Sequence, residues 1–390
     1  MSDEVSFRSH LPFLLYLSGM YFLNFIARII LGPLLPVIEG DLNIGHGEAG
    51  ALFFYMSLGL LVGFTGSGFV ASRLTHRWTI ILSSLALGGS LLVVSVSHGL
   101  LWIRWGLIVL GLSAGLYLPS AIATITDVVS SRHWGKAIAI HELAPILAFI
   151  TTPLLAEVFM IWFSWRAVAA AIGLATVVAG GVFTSFTKGG AFLGEPPGPK
   201  NLRLLLTNPS FWIMVAFFSM GTAASMGVYS MMPLYLVAQE GLERGLANTL
   251  VAFSRVAGLG VIFLAGWATD RLGPRRALGT VFLACGMATM LLGLLHGGWL
   301  LPPLFLQPVL ASCFFPAGVA ALSKIGPPQA RNVAVSLTMA ISYVAAAGGI
   351  PVGIGILGDH GLFPLGFISV GILLVGCIIL LKYLKFHEEG

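Results

Sequence analysis

Two arginines lie inside long apolar runs of the sequence, where a charged side chain is costly. Arg28 falls in the run LPFLLYLSGMYFLNFIARIILGPLLPV and Arg255 falls in LVAFSRVAGLGVIFLAG. Ionisable residues in such runs are rare and usually functional. A guanidinium binds carboxylate, phosphate or sulfonate through paired hydrogen bonds. Tyr21 and Asn24 share a helix face with Arg28 by their spacing, so these residues are a candidate anion site. The alternative is that each arginine is held in a structural ion pair.

Three ionisable residues within or beside the apolar runs are candidates for carrying a proton: Glu142, His141 and Asp127. A glutamate shielded from water has a raised pKa and can shuttle a proton. His141 points about 100° around the helix from Glu142, and a single buried histidine is more often hydrogen-bonded packing. Ionisable residues at the outer turns are expected to be solvated, namely Glu157, Glu240, Glu243, Asp359 and His360.

Three tyrosines fall in the middle of apolar runs: Tyr117, Tyr229 and Tyr343. This position is too deep for the membrane interface, where tyrosine is enriched. Their hydroxyl groups can donate to a bound anion, whereas packing in the core is the commoner role of a buried tyrosine. Both interpretations stay open from the sequence.

The elements that must position these side chains are membrane-spanning helices. The chain has 390 residues, of which 57% are hydrophobic and 9% are charged, against about 25% charged in soluble domains. A helix needs about 20 apolar residues to cross a bilayer. The sequence therefore predicts an all-α integral membrane protein with twelve transmembrane spans at 13–38, 49–71, 79–97, 105–129, 137–159, 165–186, 211–237, 247–269, 277–295, 300–323, 333–357 and 364–383.

The distribution of basic residues predicts the orientation of these spans. With a cytoplasmic N-terminus, fifteen of the 20 lysines and arginines fall in cytoplasmic segments, and only Arg104, Arg166 and Arg244 fall in outer turns. The remaining two are the arginines within spans. We therefore expect the protein in the inner membrane of the cell, with both termini in the cytoplasm. This bias accounts for the net charge of +5 without a nucleic-acid partner.

The two halves of the chain repeat each other. Pro36 in GPLLPVI and Pro233 in SMMPLYL occupy equivalent positions at an offset of 197 residues. Pro119 in LYLPSAIA and Pro316 in CFFPAGVA have the same offset. The prediction is an N-terminal six-helix bundle at 1–186, a cytoplasmic linker at 187–210 that contains GEPPGPKNLR, and a C-terminal six-helix bundle at 211–390. A pseudo-two-fold axis relates the two bundles.

A motif follows the eighth predicted span, where the chain reads GWATDRLGPRR. It resembles the signature G-x-x-x-D-R-x-G-x-R-R of the major facilitator superfamily, with a match at Gly266, Asp270, Arg271, Gly273, Arg275 and Arg276. The equivalent after span 2 is GFVASRLTHRW, in which Gly68, Arg73 and Arg77 match. Ser72 and Thr75 stand there in place of the signature's Asp and second Gly. The resemblance covers the whole chain through the helix count, the linker and the repeat.

The resemblance implies a transporter in which helices 1, 4, 7 and 10 line a central cavity. It also implies that these two loops hold one conformation on the cytoplasmic side and release it in the other. Asp127 is a candidate partner of Arg77 or Arg73, as the resemblance implies, and the lack of an acid at Ser72 is expected to weaken the latch in the N-terminal half. The simpler alternative is that these arginines only enforce topology. Because helices 5 and 8 meet in this family, Glu142 is a possible partner of Arg255.

The predicted function is secondary active transport of a small, carboxylate-like organic anion, coupled to a proton or another ion, by a monomer in a lipid bilayer. Symport is preferred, and uniport or exchange stay open. The alternative is a proton-driven exporter of drugs or metabolites, although the motif G-x-x-x-G-P-x-x-G-G of such antiporters is missing from HELAPILAFITTPLLAEVF in span 5. No metal or cofactor is expected. A membrane enzyme or receptor is disfavoured because HExxH, GxSxG and GxxxxGK[ST] motifs are absent.

Overall fold

The structure is a computed structural model that describes residues 2–185, 189–194, 204–325 and 331–386. Of the predicted linker, residues 187–188 and 195–203 lie outside the described residues. Within the described ranges, eleven helical stretches are long and apolar enough to cross a membrane. One of them, His46–Val96, has 51 residues and turns at Thr75, whose φ and ψ are not helical. It therefore supplies two spans, and the prediction of an all-α protein with twelve spans is confirmed.

Several spans consist of two consecutive helices. In chain order the helices are Ser2–Ile29 and Leu31–Leu42 (span 1), His46–Val96 (spans 2 and 3), Leu100–Val128 (span 4), Trp134–Met160 (span 5), Trp165–Phe183 (span 6), Pro209–Thr222 and Val228–Ala238 (span 7), Arg244–Ser254 and Gly258–Leu272 (span 8), Pro274–Leu294 (span 9), Leu301–Ser312 and Phe314–Leu322 (span 10), Arg331–Ser342 and Gly349–Asp359 (span 11), and Phe363–Leu380 (span 12).

Spans 7, 8 and 11 depart from regular α-helix in the C-terminal half. Span 8 was predicted as one run but is interrupted after Ser254, and its second helix begins at Gly258. Spans 7 and 11 each contain a π-helical turn, at Ala223–Gly227 and Tyr343–Gly348. Such turns shift the backbone hydrogen bonds and are frequent at functional sites. The sequence pattern indicated none of the three irregularities, because hydrophobic periodicity does not register a single extra residue in a helix.

The chain forms two compact units. The first contains Met1–Leu31 and Tyr55–Pro196, and the second contains Gly32–Phe54 and Pro197–Gly390. The segment Gly32–Phe54 therefore packs in the second unit, although the chain on either side of it belongs to the first.

The internal repeat is visible in one helix crossing of each unit. In the first unit, spans 3 and 6 touch at Gly88 and Gly173, where a Cβ on either residue would collide with the carbonyl oxygen of the other. In the second unit, spans 9 and 12 touch in the same way at Gly286 and Gly371. Both glycines of the first crossing lie 198 residues before those of the second. Small residues let helix backbones approach closely in a membrane, so the duplication extends to the packing contacts.

Two acids of the second unit, predicted to be solvated at outer turns, are more constrained than expected. The Glu240 side chain is only 7% exposed, and its carboxylate accepts hydrogen bonds from His296 Nδ1 at 2.8 Å and from the backbone N–H of Gly297 at 3.0 Å. Burial alone would raise the pKa of Glu240, but these bonds outweigh it and hold the pKa below its usual value. Asp359 is exposed, yet its carboxylate accepts from the backbone N–H of His46 at 2.6 Å and of Gly47 at 2.9 Å. It therefore caps the start of span 2, where a negative charge stabilises the helix.

Candidate functional site

The three polar residues predicted to share a face of span 1 are all buried in the first unit. Tyr21 is 4% exposed, and Asn24 and Arg28 are each 3% exposed. The Nδ2 group of Asn24 donates to the carbonyl oxygen of Ala114 on span 4 at 3.4 Å. The Arg28 guanidinium carbon lies 4.8 Å from the centre of the Phe25 ring. Span 1 therefore carries a polar stripe into the interior of its own unit.

Two further predicted residues, Tyr117 of span 4 and His141 of span 5, complete this cluster. Both are fully buried. The His141 ring stacks on Tyr21 at 4.5 Å with an angle of 8° between the planes, and Tyr117 stacks on Tyr21 at 5.6 Å and 10°. The Tyr117 hydroxyl donates to the carbonyl oxygen of Leu17 at 2.7 Å. Tyr117 is thus already engaged within the protein, and its position favours a role in holding the other rings over a role as a ligand donor.

The candidate proton carriers separate into two places. His141 Nδ1 lies 3.4 Å from Glu142 Oε1, and the Glu142 side chain is 46% exposed while that of His141 is fully buried. The two residues thus connect the buried cluster to the outside of their unit. Asp127 is elsewhere, at the end of span 4, where its carboxylate accepts from the backbone N–H of Gly190 at 3.2 Å.

The second unit holds Arg255 at the interruption of span 8. Its Nη2 donates to the carbonyl oxygen of Ser225 at 2.7 Å, and its guanidinium carbon lies 4.8 Å from the centre of the Tyr229 ring. Ser225 belongs to the π-helical turn of span 7, and its carbonyl oxygen is free to accept this bond. The irregular backbones of spans 7 and 8 therefore position this arginine.

A small cavity in the second unit is lined by Arg255, Tyr229, Ser254 and Gln307 together with apolar side chains. Gln307 of span 10 donates through Nε2 to the carbonyl oxygen of Ala224 at 2.9 Å, so the same π-helical turn holds it. The sequence marks Gln307 as a further candidate hydrogen-bond donor to an anion, but it does not mark Ser225. A mid-span glutamine is a usable signal, whereas nothing in the local sequence marks a serine whose carbonyl group is the contact. Tyr343, the remaining predicted tyrosine, begins the π-helical turn of span 11 and is half-buried.

The loop after span 8 carries the complete motif. Its helix ends at Gly273, which has φ 79° and ψ 151°, a conformation that favours glycine. The Arg275 guanidinium donates to the carbonyl oxygen of Leu384, and Arg271 lies 4.7 Å from the Trp267 ring. Asp270 and Arg276 are exposed. Among the described residues, the Asp270 carboxylate accepts no hydrogen bond in this conformation.

The loop after span 2 does not contain the expected ion pair. The Arg77 guanidinium donates to the carbonyl oxygen of Thr184 at 2.6 Å, and Arg73 is exposed. Within the part of the chain that the structure describes, Asp127 pairs with neither arginine and instead bonds to Gly190. The prediction that Asp127 is the partner of Arg77 or Arg73 is therefore wrong for this conformation. The physical reason is that backbone groups satisfy both side chains, since the Thr184 carbonyl oxygen accepts from Arg77 and the Gly190 N–H donates to Asp127.

Comparison with known families gives a match over nearly the whole chain. The family model described as Major Facilitator Superfamily matches residues 17–306 and 247–389.

Curated relatives with the name multidrug resistance protein MdtL are similar to this chain at low identity. The protein of Citrobacter koseri is 23% identical over 370 residues, which cover 91% of this chain and 93% of the relative. The protein of Escherichia fergusonii is 23% identical over 319 residues, which cover 80% of each.

Solved structures of transporters share the fold. A bacterial homologue of the human lysosomal transporter Spinster has a TM-score of 0.80 at 15% identity and covers 97% of this chain and 96% of its own. A D-xylose–proton symporter has a TM-score of 0.78 at 15% identity and covers 97% and 98%. At this identity the likeness concerns the fold alone.

Proposed function

The chain belongs to the Major Facilitator Superfamily and is therefore a multi-pass membrane transporter and not an enzyme; we propose that it moves a small organic anion by alternating access. The observation that carries this proposal is the position of Arg28. Its side chain is 3% exposed and lies on the polar face that Tyr21 and Asn24 form on span 1. A guanidinium at this depth is costly in a membrane, and binding a carboxylate or phosphate group offsets that cost.

Arg255 supports the same chemistry in the second unit. Its bond to Ser225 and its position beside the Tyr229 ring fix a guanidinium at the edge of a cavity that Gln307 also lines. Tyr229 and Tyr343 are the further candidate ligands in this unit. Arginine, unlike lysine, presents a planar fork that matches carboxylate and phosphate groups, so both units favour a negatively charged cargo over a cationic one.

We propose that Glu142 and His141 couple transport to a proton. Glu142 is partly exposed while its neighbour His141 is buried against Tyr21, so the pair spans the boundary that a proton would cross. Protonation of Glu142 would remove the charge that faces the imidazole. We propose that the anion and the proton move in the same direction, which is proton symport. A monomer in the inner membrane with cytoplasmic termini completes this proposal, because the basic residues concentrate on that side.

Export of drugs is the second candidate function, since curated relatives that match most of this chain are named multidrug resistance proteins. The missing glycine motif in span 5 and the two arginines within spans favour the anion instead. Uptake and efflux experiments with one purified preparation separate the two candidates.

The test is transport by the purified protein in proteoliposomes. The panel contains mono- and dicarboxylates, phosphate esters and sulfonates, with a cationic dye as the drug surrogate, each with and without a pH gradient. We expect Arg28→Ala to reduce anion uptake about a hundredfold, because hydrogen bonds to a charged group contribute about 1.5–3 kcal/mol each. Arg132→Ala, an exposed arginine on the turn Ser131–His133, is the matched control and should transport normally.

Two outcomes would contradict the anion proposal: wild-type uptake by a folded Arg28→Ala protein, or transport of the dye with no anion transported. For the coupling, Glu142→Gln should reduce uptake in a pH gradient to the rate without one, while anion exchange continues. Accumulation that still follows the gradient in this variant would exclude Glu142 as the proton carrier.

A further inference from the structure

Asn24 Oδ1 and His141 Nε2 are among the buried polar atoms of the first unit for which the described residues offer no hydrogen-bond partner. Asn24 is 3% exposed and His141 is fully buried. Leaving a buried polar atom without a hydrogen bond destabilises a protein, so most such atoms have a partner. Two of them, on residues that both neighbour Tyr21, indicate a place where another molecule supplies the missing contacts.

The contacts of each side chain determine which kind of group these atoms bind. Asn24 Nδ2 donates to the carbonyl oxygen of Ala114 at 3.4 Å. The reverse amide orientation would set two oxygens against each other, so the remaining atom is the acceptor Oδ1. His141 Nδ1 faces the Glu142 carboxylate at 3.4 Å. While Glu142 is ionised, its carboxylate fixes the proton of a neutral imidazole on Nδ1, so Nε2 is then also an acceptor.

Asn24 lies on the same helix face as the arginine of the proposed anion site, and His141 packs against that face at Tyr21. The His141 ring stacks on Tyr21 at 4.5 Å, and Tyr21, Asn24 and Arg28 follow one another along a face of span 1. Asn24 and Arg28 are four residues apart, which is about 6 Å along a helix axis. The Asn24 acceptor and the Arg28 guanidinium at this separation match the two ends of a molecule a few bonds long.

We propose that the first unit binds a hydrogen-bond donor of the cargo as well as its anionic group. This inference rests on the anion transport proposed above and narrows its substrate class to small anions with a hydroxyl or N–H group a few bonds from the charge. Arg28 binds the anionic end, and Asn24 Oδ1 and His141 Nε2 accept from the donor end. A plain carboxylate of the same length leaves both acceptors buried without a partner.

The test uses matched pairs that differ only in one hydroxyl group: 3-hydroxybutyrate against butyrate, and 3-hydroxypropionate against propionate. Uptake into proteoliposomes and the ligand-induced rise in the thermal unfolding temperature in detergent are measured for each compound. We expect the wild-type protein to favour the hydroxylated member of at least one pair about tenfold or more, because a site built to accept from a hydroxyl rejects the analogue without it.

Asn24→Leu keeps the size of the side chain and removes the acceptor. We expect this variant to lose the preference, so that it transports both members of each pair at equal rates. Thr176→Val on span 6 is the control for removing a buried polar group, because the Thr176 hydroxyl donates to the carbonyl oxygen of Ile172 in its own helix. This control should keep the preference.

The outcomes separate the two proposals. If both members of each pair are transported equally and Arg28→Ala abolishes both, the donor site is wrong and the anion function stands. If neither member of either pair is transported or raises the unfolding temperature, while the dye is exported, the anion function falls and the donor site with it. If Asn24→Leu does not fold, the wild-type unfolding temperatures decide: an equal rise with both members of a pair overturns the donor site, and a larger rise with the hydroxylated member supports it.

Discussion

The loops after spans 2 and 8 have the same backbone turn but different residues at it. Thr75 has φ 74° and ψ 159°, and Gly273 has φ 79° and ψ 151°. The two residues occupy equivalent positions of the repeat, 198 residues apart. A threonine in this region is strained, whereas a glycine is not. The geometry of two adjoining helices therefore imposes the turn even where the favourable residue has been lost.

The two loops differ in what holds them. In the first unit, residues 189–194 pair with the loop through three backbone bonds: Arg77 N–H to Gly190 O at 2.8 Å, His76 N–H to Phe192 O at 3.1 Å, and Gly194 N–H to Ala71 O at 3.0 Å. We call this segment the strap. In the second unit, the loop is joined to the C-terminal segment by the hydrogen bond from the Arg275 guanidinium to the carbonyl oxygen of Leu384.

This difference teaches that a degraded motif need not mean a loosely held loop. Ser72 lacks the carboxylate of the signature, and its hydroxyl donates only to Phe69 in its own helix, at 2.9 Å. The strap supplies the loop with other partners, and Asp127 anchors the strap through Gly190. The chain thus holds the turn of the second unit through the Arg275 side chain, and the equivalent turn of the first unit through backbone bonds to the strap.

The largest expected effect comes from breaking the strap. Gly190 has φ +71°, and a Cβ there would lie 2.5 Å from Thr124 Oγ1 and 3.1 Å from the Arg77 nitrogen. We expect Gly190→Val to reduce the free energy of unfolding by about 3 kcal/mol through strain and displacement. Thermal unfolding in detergent checks this. Gly181→Val is the control, because a Cβ at Gly181 meets nothing within 4 Å. Equal unfolding temperatures for the two variants would show that the strap does not hold the loop.

A smaller effect is expected from Asp127→Asn. The amide oxygen of asparagine still accepts from Gly190, but the bond loses the charge that strengthens it. We expect a loss of about 1.5 kcal/mol in the free energy of unfolding, measured in the same way. The double variant with Gly190→Val should then lose little more than Gly190→Val alone, since both act on one contact. Fully additive losses would place the role of Asp127 elsewhere.

The smallest expected effects come from exchanging the turn residues. Thr75→Gly should raise the free energy of unfolding by about 1 kcal/mol, because relief of the strained φ outweighs the greater entropy of the unfolded glycine chain. Gly273→Thr should lower it by a similar amount, and the double exchange should leave it close to the wild-type value. Destabilisation by both single changes would mean that Thr75 makes contacts worth more than its strain.

The sequence predicted the part of the candidate site that lies on a single helix. The spacing of Tyr21, Asn24 and Arg28 along span 1 placed them on one face, and the structure buries all three. The stacking of His141 on Tyr21 joins residues 120 positions apart, and no local pattern specifies such a contact. The partners of Asp127 and Arg255 are backbone groups of Gly190 and Ser225, which carry no side-chain signature at all.

The amino-acid sequence by itself determined the family, the number of spans and the internal repeat, because apolar length, helical periodicity and a contiguous motif are properties of the local chain. Only the tertiary structure decided which groups satisfy the charges and polar atoms inside the protein. The reason is that a buried donor or acceptor binds whatever lies opposite it, and the interruption of span 8, the π-helical turns and the strap bring backbone groups there. Helix packing can likewise hold a threonine in a backbone conformation that favours glycine.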